Sequence, residues 1–290
     1  MSKLQIITDS NSGITQQEGK DLGIFVIPMP FSINGEEFLE DINISQEQFY
    51  EYLACNAEVT TSQPSQAYLE ELWSNLLQEY DELVYIPMSS GLSATCENAK
   101  SYALKYDDRV QVVDNLRISL GQKESVFEAI VMAKLGKSAV QIKEYLESTK
   151  LKSSTYIVMS TLKYIKRGGR IAPAAAAIGE ILRIRPVLYT RGQAFKKFTV
   201  STNFKNAKEK ILAQLRKELE SEFAQEYKDG KMTISLAYTK SIEEALRFKE
   251  DIEKEFPDLQ FHFVDPLSLS VACHIGPNAL GVAISINNYM

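Results

Sequence analysis

The chain has 290 residues, with 44% hydrophobic and 24% charged side chains, which is an ordinary composition for a globular protein with a large interior. The formal net charge is −6, and no apolar segment approaches the roughly 20 residues of a membrane-spanning helix, so that class of protein is excluded. Three cysteines without metal-ligand spacing and the absence of a secretory signal favour a cytoplasmic protein.

The first half of the chain alternates short apolar strands with helices, which is typical of a largely parallel α/β sheet. Strands are predicted at 4–8, 24–31, 83–87 and 110–113, and helices near 15, 45, 65, 94 and 119. Asp9-Ser10, residues 89–93 and Asp114-Asn115 each follow a strand. Because ligands bind beyond the carboxyl ends of parallel strands, we expect these segments to share one rim.

The pattern changes after about residue 155, where a hairpin and further helix–strand units predict an α+β domain. Strands are expected at 156–159, 232–239, 260–265 and 280–286, a hairpin at 186–200, and helices near 173, at 203–227 and at 241–256. We therefore predict two domains, an N-terminal, mainly parallel α/β sheet domain (1–158) and a C-terminal α+β domain (159–290).

Hydroxyl side chains cluster at two predicted helix starts. Residues 89–93 read Ser-Ser-Gly-Leu-Ser, and Thr60-Thr61-Ser62 precede the helix that begins near residue 65. Serine is a common helix cap, so capping explains either loop. The unpaired N–H groups and the dipole of a helix start also favour an anion. The residue types alone leave capping and anion binding open.

Basic residues concentrate between positions 161 and 200, where nine lysines and arginines accompany one acid, Glu180. This imbalance indicates either an anionic partner or an ordinary solvated surface. Within the segment, Gly168-Gly169 permits a close backbone approach, and Arg170 offers planar donors that suit a carboxylate or a phosphate. The chain lacks a phosphate-binding glycine loop, so we expect it not to bind ATP by itself.

The chain has two histidines. His262 lies in an alternating strand and is expected there as a surface residue or a packed residue. His274 is expected in a loop before the last strand, where a histidine is either structural or functional near neutral pH. Cys273 beside it lacks the spacing of a metal ligand, and we expect no metal site.

Five segments in register resemble the DegV family over nearly the whole chain, from residue 8 to about 281. They are Thr8-Asp9-Ser10, Thr61-Ser62-Gln63-Pro64-Ser65, residues 89–93, Gly168-Gly169-Arg170-Ile171 and His274-Ile275-Gly276-Pro277. The resemblance implies a lipid-binding protein with its site between two domains, similar to the fatty-acid-binding subunit (FakB) of bacterial fatty acid kinase. It implies that a separate ATP-binding kinase subunit phosphorylates the bound acid to an acyl phosphate for phospholipid synthesis.

The resemblance also implies roles for individual positions, with no catalytic residue and no cofactor in this chain. The residues expected around the carboxylate of a long-chain fatty acid are Thr61, Ser62, Ser93 and His274. Arg170 is expected to contact the phosphate or the kinase partner. Support for the site is expected from Asp9, Ser10, Gly91, Gly169 and Gly276. Lys123-Glu124-Ser125 depart from the family pattern and would alter or shorten the tail pocket if their helix lines it.

Two other functions use the same residues. A serine hydrolase would combine Ser93 and His274 with Asp9, Asp114 or Asp265, although neither serine of the loop lies in a G-x-S-x-G turn. A module for nucleic acid or a phosphorylated metabolite would use the basic segment, but the acidic chain lacks any nucleic-acid motif, so we expect no nucleic-acid partner. Transient contact with a membrane surface is compatible with lipid exchange in the fatty acid interpretation.

Overall fold

Strands and helices alternate through the N-terminal half of the computed structural model, which describes residues 3–177 and 184–289. In chain order the elements are β1 (Leu4–Asp9), α1 (Gln16–Leu22), β2 (Phe25–Ile27), β3 (Pro30–Ile33), β4 (Glu36–Leu39), α2 (Gln46–Ala54), β5 (Val59–Thr61), α3 (Gln66–Leu76), β6 (Glu82–Ile86), α4 (Thr95–Ala103), β7 (Val110–Val112), α5 (Leu120–Lys134) and α6 (Ala139–Ser148). A parallel sheet has the order β2-β1-β6-β7, and a small antiparallel sheet has the order β4-β3-β5.

The C-terminal half builds a six-stranded mixed sheet. Its elements are β8 (Ser153–Val158), α7 (Lys163–Gly168), α8 (Pro173–Ala176), β9 (Arg185–Thr190), β10 (Lys196–Ser201), α9 (Phe204–Glu220), α10 (Ala224–Lys228), β11 (Met232–Tyr238), α11 (Glu243–Glu255), β12 (Gln260–Pro266), α12 (Leu269–Ile275) and β13 (Leu280–Ile286). The order is β10-β9-β8-β13-β11-β12; β11 and β12 are parallel and the other pairs antiparallel. The predicted fold class is confirmed, including the hairpin β9–β10.

Along the chain, the change from the parallel sheet to the six-stranded sheet comes before residue 158, where the predicted first domain ends. Strand β8 pairs with β9 and β13, so it belongs to the C-terminal sheet, although the prediction assigned residues up to 158 to the first domain. The partners of a strand are set by pairing with distant segments, which its own composition does not reveal. The sheets therefore separate between α6 and β8, and the domain division itself stays a prediction.

Several predicted elements differ from the structure. The apolar run 24–31 is divided between β2 and β3 of different sheets, because Pro28 has no N–H to continue a ladder. The helix predicted at 203–227 ends at Glu220, where Ser221 leaves helical geometry with φ −124° and ψ −82°, and α10 follows. Helices α7 and α12 occupy segments predicted as loops. His274 consequently lies in the last turn of a helix.

The six-stranded sheet is covered on both faces. One face packs against α9 and α11 through side chains such as Ile211 and Phe248. The other face meets α12 and the loops of the parallel sheet through Leu188, Val271 and Ile118. This second layer lies between the two large sheets and contains the candidate site. None of the helices in the described part of the chain combines the length and apolar character that a bilayer crossing needs.

Candidate functional site

Three loops meet at the carboxyl edge of the parallel sheet, as the strand order predicts. Asp9, the last residue of β1, accepts a hydrogen bond from Met88 N at 3.0 Å. Asp114, which follows β7, accepts one from Ser90 N at 3.2 Å. The loop that contains residues 89–93 is therefore held from both neighbouring strands.

Asp9 accepts further hydrogen bonds at the place where these loops meet. Its Oδ1 accepts hydrogen bonds from Asn11 N, Asn11 Nδ2 and Gln122 Nε2 at 3.1, 2.9 and 3.0 Å. Burial raises the pKa of the Asp9 carboxyl, while its N–H donors act in the opposite direction. The neighbouring Ser10 Oγ accepts from Met29 N at 3.1 Å. Asp9 and Ser10, two of the five predicted support residues, thus accept hydrogen bonds from backbone N–H groups behind the cavity and do not line it.

Loop 89–93 binds both α4 and the hairpin β9–β10. Ser89 is buried, and its Oγ donates to the Gly192 carbonyl and accepts from Gly91 N at 3.1 Å. Ser93 Oγ accepts from Thr95 N at 3.2 Å and lies 2.9 Å from Thr95 Oγ1. The loop therefore satisfies the start of α4, as the capping interpretation predicts, and Ser93 also faces a cavity.

That cavity has a volume of about 260 Å³ and lies between the rim and the C-terminal sheet. It is larger than the ~150 Å³ that accommodates benzene in an engineered apolar site. Its polar walls include Thr61, Ser62, Ser93, Arg170 and His274. The apolar walls include Met29, Met88, Leu92, Ile118, Ile165 and Phe195. The four residues predicted to surround the carboxylate therefore line one cavity with Arg170, the predicted phosphate or partner contact, and with Asn11, Gln63 and Ser270, which sequence reasoning missed.

Thr61 and His274 form the contact that joins the two halves of the chain at the cavity. Thr61 Oγ1 at the end of β5 lies 2.9 Å from His274 Nε2, within hydrogen-bond distance. Burial, with Arg170 and Arg167 nearby, lowers the pKa of His274 to about 4, so the imidazole is neutral at pH 7. In the described part of the chain, His274 Nδ1 is buried without a hydrogen-bond partner.

Arg170 is held beside these groups by backbone carbonyls. Its Nε donates to Leu92 O at 3.2 Å, and its Nη1 donates to Gly168 O at 2.6 Å. These bonds connect the hydroxyl loop to the end of α7. Of the predicted support glycines, Gly169 ends α7 with φ +70°, and Gly276 ends α12 against the ring of Tyr164.

Gly168 packs directly against His274, and a Cβ built on it would lie 1.9 Å from His274 Nδ1. We expect Gly168→Ala to displace the imidazole and break its contact with Thr61, because that overlap leaves no space for both groups. The ring resonances in a ¹H–¹⁵N NMR spectrum would move. Gly169→Ala is the control, since it adds backbone strain at φ +70° but has no atom within 4 Å of the new Cβ. Unchanged ring resonances in Gly168→Ala would contradict the packing argument.

The residues of the hydrolase alternative do not assemble into a triad. Ser93 Oγ bonds with Thr95, and His274 Nε2 bonds with Thr61. Asp9 is occupied by N–H donors behind the rim. No carboxylate orients the imidazole in the described part of the chain, because Nδ1 has no partner there.

Lys123, Glu124 and Ser125 lie away from the cavity, so the expected alteration of the tail pocket does not arise from their side chains. Lys123 Nζ pairs with Asp265 at 2.8 Å, and Ser125 Oγ accepts from Arg117 Nη1 at 2.9 Å. Glu124 Oε1 lies 2.7 Å from the Nδ1 atom of His262, so this histidine is packed, one of the two placements expected for it. These buried polar groups therefore connect α5 with β12 and with the segment that contains Arg117.

Two arginines of the basic segment, Arg170 and Arg191, have different surroundings in the described part of the chain. Arg191 pairs with Glu218 at 3.3 Å and with Glu222 at 2.5 Å, so its charge is balanced locally. Arg170 lines the cavity. Arg183 and Glu180, which also belong to the segment, lie outside the described residues.

One group of potential metal ligands occurs among the described residues, formed by Cys96, Glu97 and Asp114. The ammonium of Lys100 lies 2.9 Å from Glu97 and 3.6 Å from Asp114, so a cation already balances these carboxylates. Burial raises the pKa of the Cys96 thiol to about 12, which disfavours the thiolate that a metal requires. This group does not support a metal site.

Comparison with known proteins identifies one family. Residues 3–287 match the family model described as "Uncharacterised protein, DegV family". A DegV domain-containing protein of Clostridium perfringens is 30% identical over 291 residues, which cover 97% of each chain.

Solved structures agree with this assignment. A fatty-acid-binding DegV family protein of Thermus thermophilus superposes with a TM-score of 0.87 at 25% identity, covering 98% of this chain and 100% of that one. DegV of Bacillus subtilis, described as a fatty acid binding protein, superposes with a TM-score of 0.85 at 26% identity, covering 99% and 100%. The resemblance inferred from the five segments is confirmed.

Proposed function

Because this chain belongs to the DegV family, we propose that it binds one long-chain fatty acid in the cavity between its two large sheets. The observation that carries this proposal is the composition of the cavity, where hydroxyl, imidazole and guanidinium groups share one space with a mostly apolar wall. The description of the two structural relatives as fatty-acid-binding proteins supports the same ligand class.

The polar residues suit a buried carboxylate. A carboxylate that leaves water must be hydrogen-bonded, and bonds to a charged acceptor are the stronger ones. Thr61, Ser62 and Ser93 offer hydroxyl donors, and His274 fixes Thr61 through their 2.9 Å contact. The neutral imidazole and the hydroxyls hold the carboxylate without a permanent ion pair at these positions, which leaves an oxygen free to react.

The apolar walls suit the tail. Each buried methylene contributes about 0.8 kcal/mol, so a chain of many carbons has a large driving force to enter. Benzene, with six carbons, fits an engineered apolar cavity of ~150 Å³. On that scale the cavity of about 260 Å³ accommodates about ten carbons of an acyl chain.

We propose further that the bound acid is presented in the cytoplasm to a separate ATP-binding fatty acid kinase subunit, as in the FakB proteins. The free carboxylate oxygen would attack the γ-phosphorus of ATP, release ADP and form an acyl phosphate for phospholipid synthesis. This chain would contribute no catalytic residue and no cofactor. Arg170 would contact the transferred phosphate or the partner, and transient contact with a membrane surface would allow lipid exchange.

Native mass spectrometry tests binding, and a coupled phosphorylation assay tests presentation. We expect the purified protein to carry an acid of long-chain mass. Arg170→Ala should keep that acid but reduce its phosphorylation by the kinase subunit at least tenfold, because charge-assisted contacts contribute about 1.5–3 kcal/mol. Arg191→Ala is the matched control, since this arginine of the same segment is paired with Glu218 and Glu222.

Two results would contradict the proposal in different ways. A protein that neither carries nor takes up any fatty acid would contradict the binding function. Retained binding with equal phosphorylation in Arg170→Ala and Arg191→Ala would contradict only the role of Arg170.

A further inference from the structure

A second, smaller cavity adjoins the first on the side of the C-terminal sheet. Its volume is about 30 Å³. Four buried side chains line both cavities and so form the wall that the cavities share: Ile118, Phe195, Val271 and Ile275. Neither Arg170 nor any of the four residues predicted to surround the carboxylate lines the smaller cavity.

Three small residues contribute to the sheet wall of this inner cavity. Gly281 on β13 is the cross-strand partner of Ala237 on β11 and of Ile157 on β8, so all three lie on the same face of the sheet. Ala283, two residues further along β13, also lines the cavity. Gly281, Ala237 and Ala283 occupy little volume, and larger side chains at these positions would fill the cavity.

The inner cavity is suited to hydrocarbon and not to water. Among its lining side chains, Ser119 and Thr155 carry hydroxyls, and the remainder are apolar or glycine. A water needs two to four polar partners, and cavities with apolar walls stay dry. On the scale of ~150 Å³ for the six carbons of benzene, about 30 Å³ accommodates about one carbon.

We infer that the end of the acyl tail passes between Ile118 and Phe195 into the inner cavity, and that Gly281 determines the longest straight chain the protein binds tightly. This inference rests on the proposed fatty acid binding and specifies its substrate class, which is an unbranched acid long enough to fill both cavities. Shorter acids would leave the inner cavity empty.

Gly281 offers a clean test because its position accepts a side chain. A Cβ there would meet Ala237 Cβ and Ala237 O at 3.7 Å and Tyr156 O at 3.8 Å, which are ordinary contacts. Gly281→Ala should therefore fold and occupy part of the inner cavity. Gly281→Val should occupy most of it.

The experiment measures dissociation constants for straight saturated acids of increasing length. Losing the contacts of one methylene corresponds to roughly fourfold weaker binding. We expect Gly281→Val to weaken binding of the longest acids about fourfold, with acids shorter by a few carbons unaffected. Gly281→Ala should give a smaller loss for the same acids, because it occupies less of the inner cavity.

Gly121→Ala is the matched control. Gly121 is also a buried glycine between the sheets, and its Cβ would meet Arg117 Cβ, Ser153 Oγ and Ser285 Oγ at 3.6 Å. It does not line either cavity, so its length profile should equal that of the unaltered protein.

Unchanged affinities at all lengths in both Gly281 variants would overturn the inference, because the tail would then end elsewhere. An equal loss at every length would also overturn it, because it would indicate general distortion. Failure of the unaltered protein to bind any acid would contradict the proposed function itself.

Discussion

Thr61→Val is expected to weaken fatty acid binding by about 10- to 100-fold. The substitution keeps the shape of the side chain but removes the hydroxyl that lies 2.9 Å from His274 Nε2 and faces the cavity. A hydrogen bond to a charged group contributes about 1.5–3 kcal/mol, and the imidazole would also lose its partner. Isothermal calorimetry with one fatty acid measures the change.

The neighbour of Thr61 supplies a control. Thr60 lies on the same strand with an exposed side chain and does not line the cavity. Thr60→Val should bind as the unaltered protein does. In a double-mutant cycle, Thr61→Val and His274→Ala should be non-additive, because they remove the two ends of one contact. Additive losses would show that the two residues act independently.

The low pKa of His274 makes the site insensitive to pH near neutrality. Burial keeps the imidazole neutral until the pH falls to about 4, compared with 6.5 for a free histidine. Fatty acid affinity should therefore show no histidine-dependent change between about pH 5.5 and pH 8. The unfolded chain binds this proton more readily, so the stability contributed by the neutral ring is lost as the pH falls from about 6.5 to about 4. An imidazole that titrates near 6.5 in NMR spectra of the folded protein would contradict this account.

Asp9→Ala is expected to lower the free energy of unfolding by about 3–5 kcal/mol, the range for breaking a buried polar network. The change leaves N–H donors of Met88 and Asn11 without their acceptor and removes one of the three acceptors of Gln122 Nε2. Urea unfolding followed by circular dichroism measures it.

Two further variants test whether the lower free energy of unfolding results from the lost hydrogen bonds of Asp9. Asp9→Asn keeps one acceptor oxygen and should lose less stability than Asp9→Ala. Asp21→Ala removes an exposed carboxylate of α1 and should change stability by about 0.5 kcal/mol or less. If Asp9→Ala and Asp21→Ala were equally stable, Asp9 would not anchor the rim.

The parts of the fold that depend on local pattern could be predicted from the sequence. Alternating strands and helices indicate the parallel sheet, and the polar residues after β1, β6 and β7 indicate the rim that the structure shows. Helix α12 could not be predicted in this way. Leu269, Ser270, Val271, Ala272 and Cys273 are all buried, so the helix has no polar face and no amphipathic period.

The position of Lys123-Glu124-Ser125 could not be predicted for a related reason. Charged residues in a helix usually indicate a solvated face, yet Lys123 and Glu124 are only 3% and 1% exposed. Lys123 pairs with Asp265, and Glu124 lies within hydrogen-bond distance of His262; both partners follow more than 130 residues later in the chain. Such partners become visible only once the two halves of the chain are packed together.

The hairpin β9–β10 forms hydrogen bonds with segments of both halves of the chain beside the cavity. Its Gly192 carbonyl holds Ser89 of the N-terminal half, while the backbone of Phe195 pairs with Arg170 O at 2.9 Å and Ala172 N at 2.8 Å. One short turn therefore positions the hydroxyl loop, the arginine and an aromatic wall of the cavity. Neither half of the chain contains this arrangement by itself. A chimera that exchanged one half for that of a relative would keep it only if the hairpin tip and the serine loop were exchanged together.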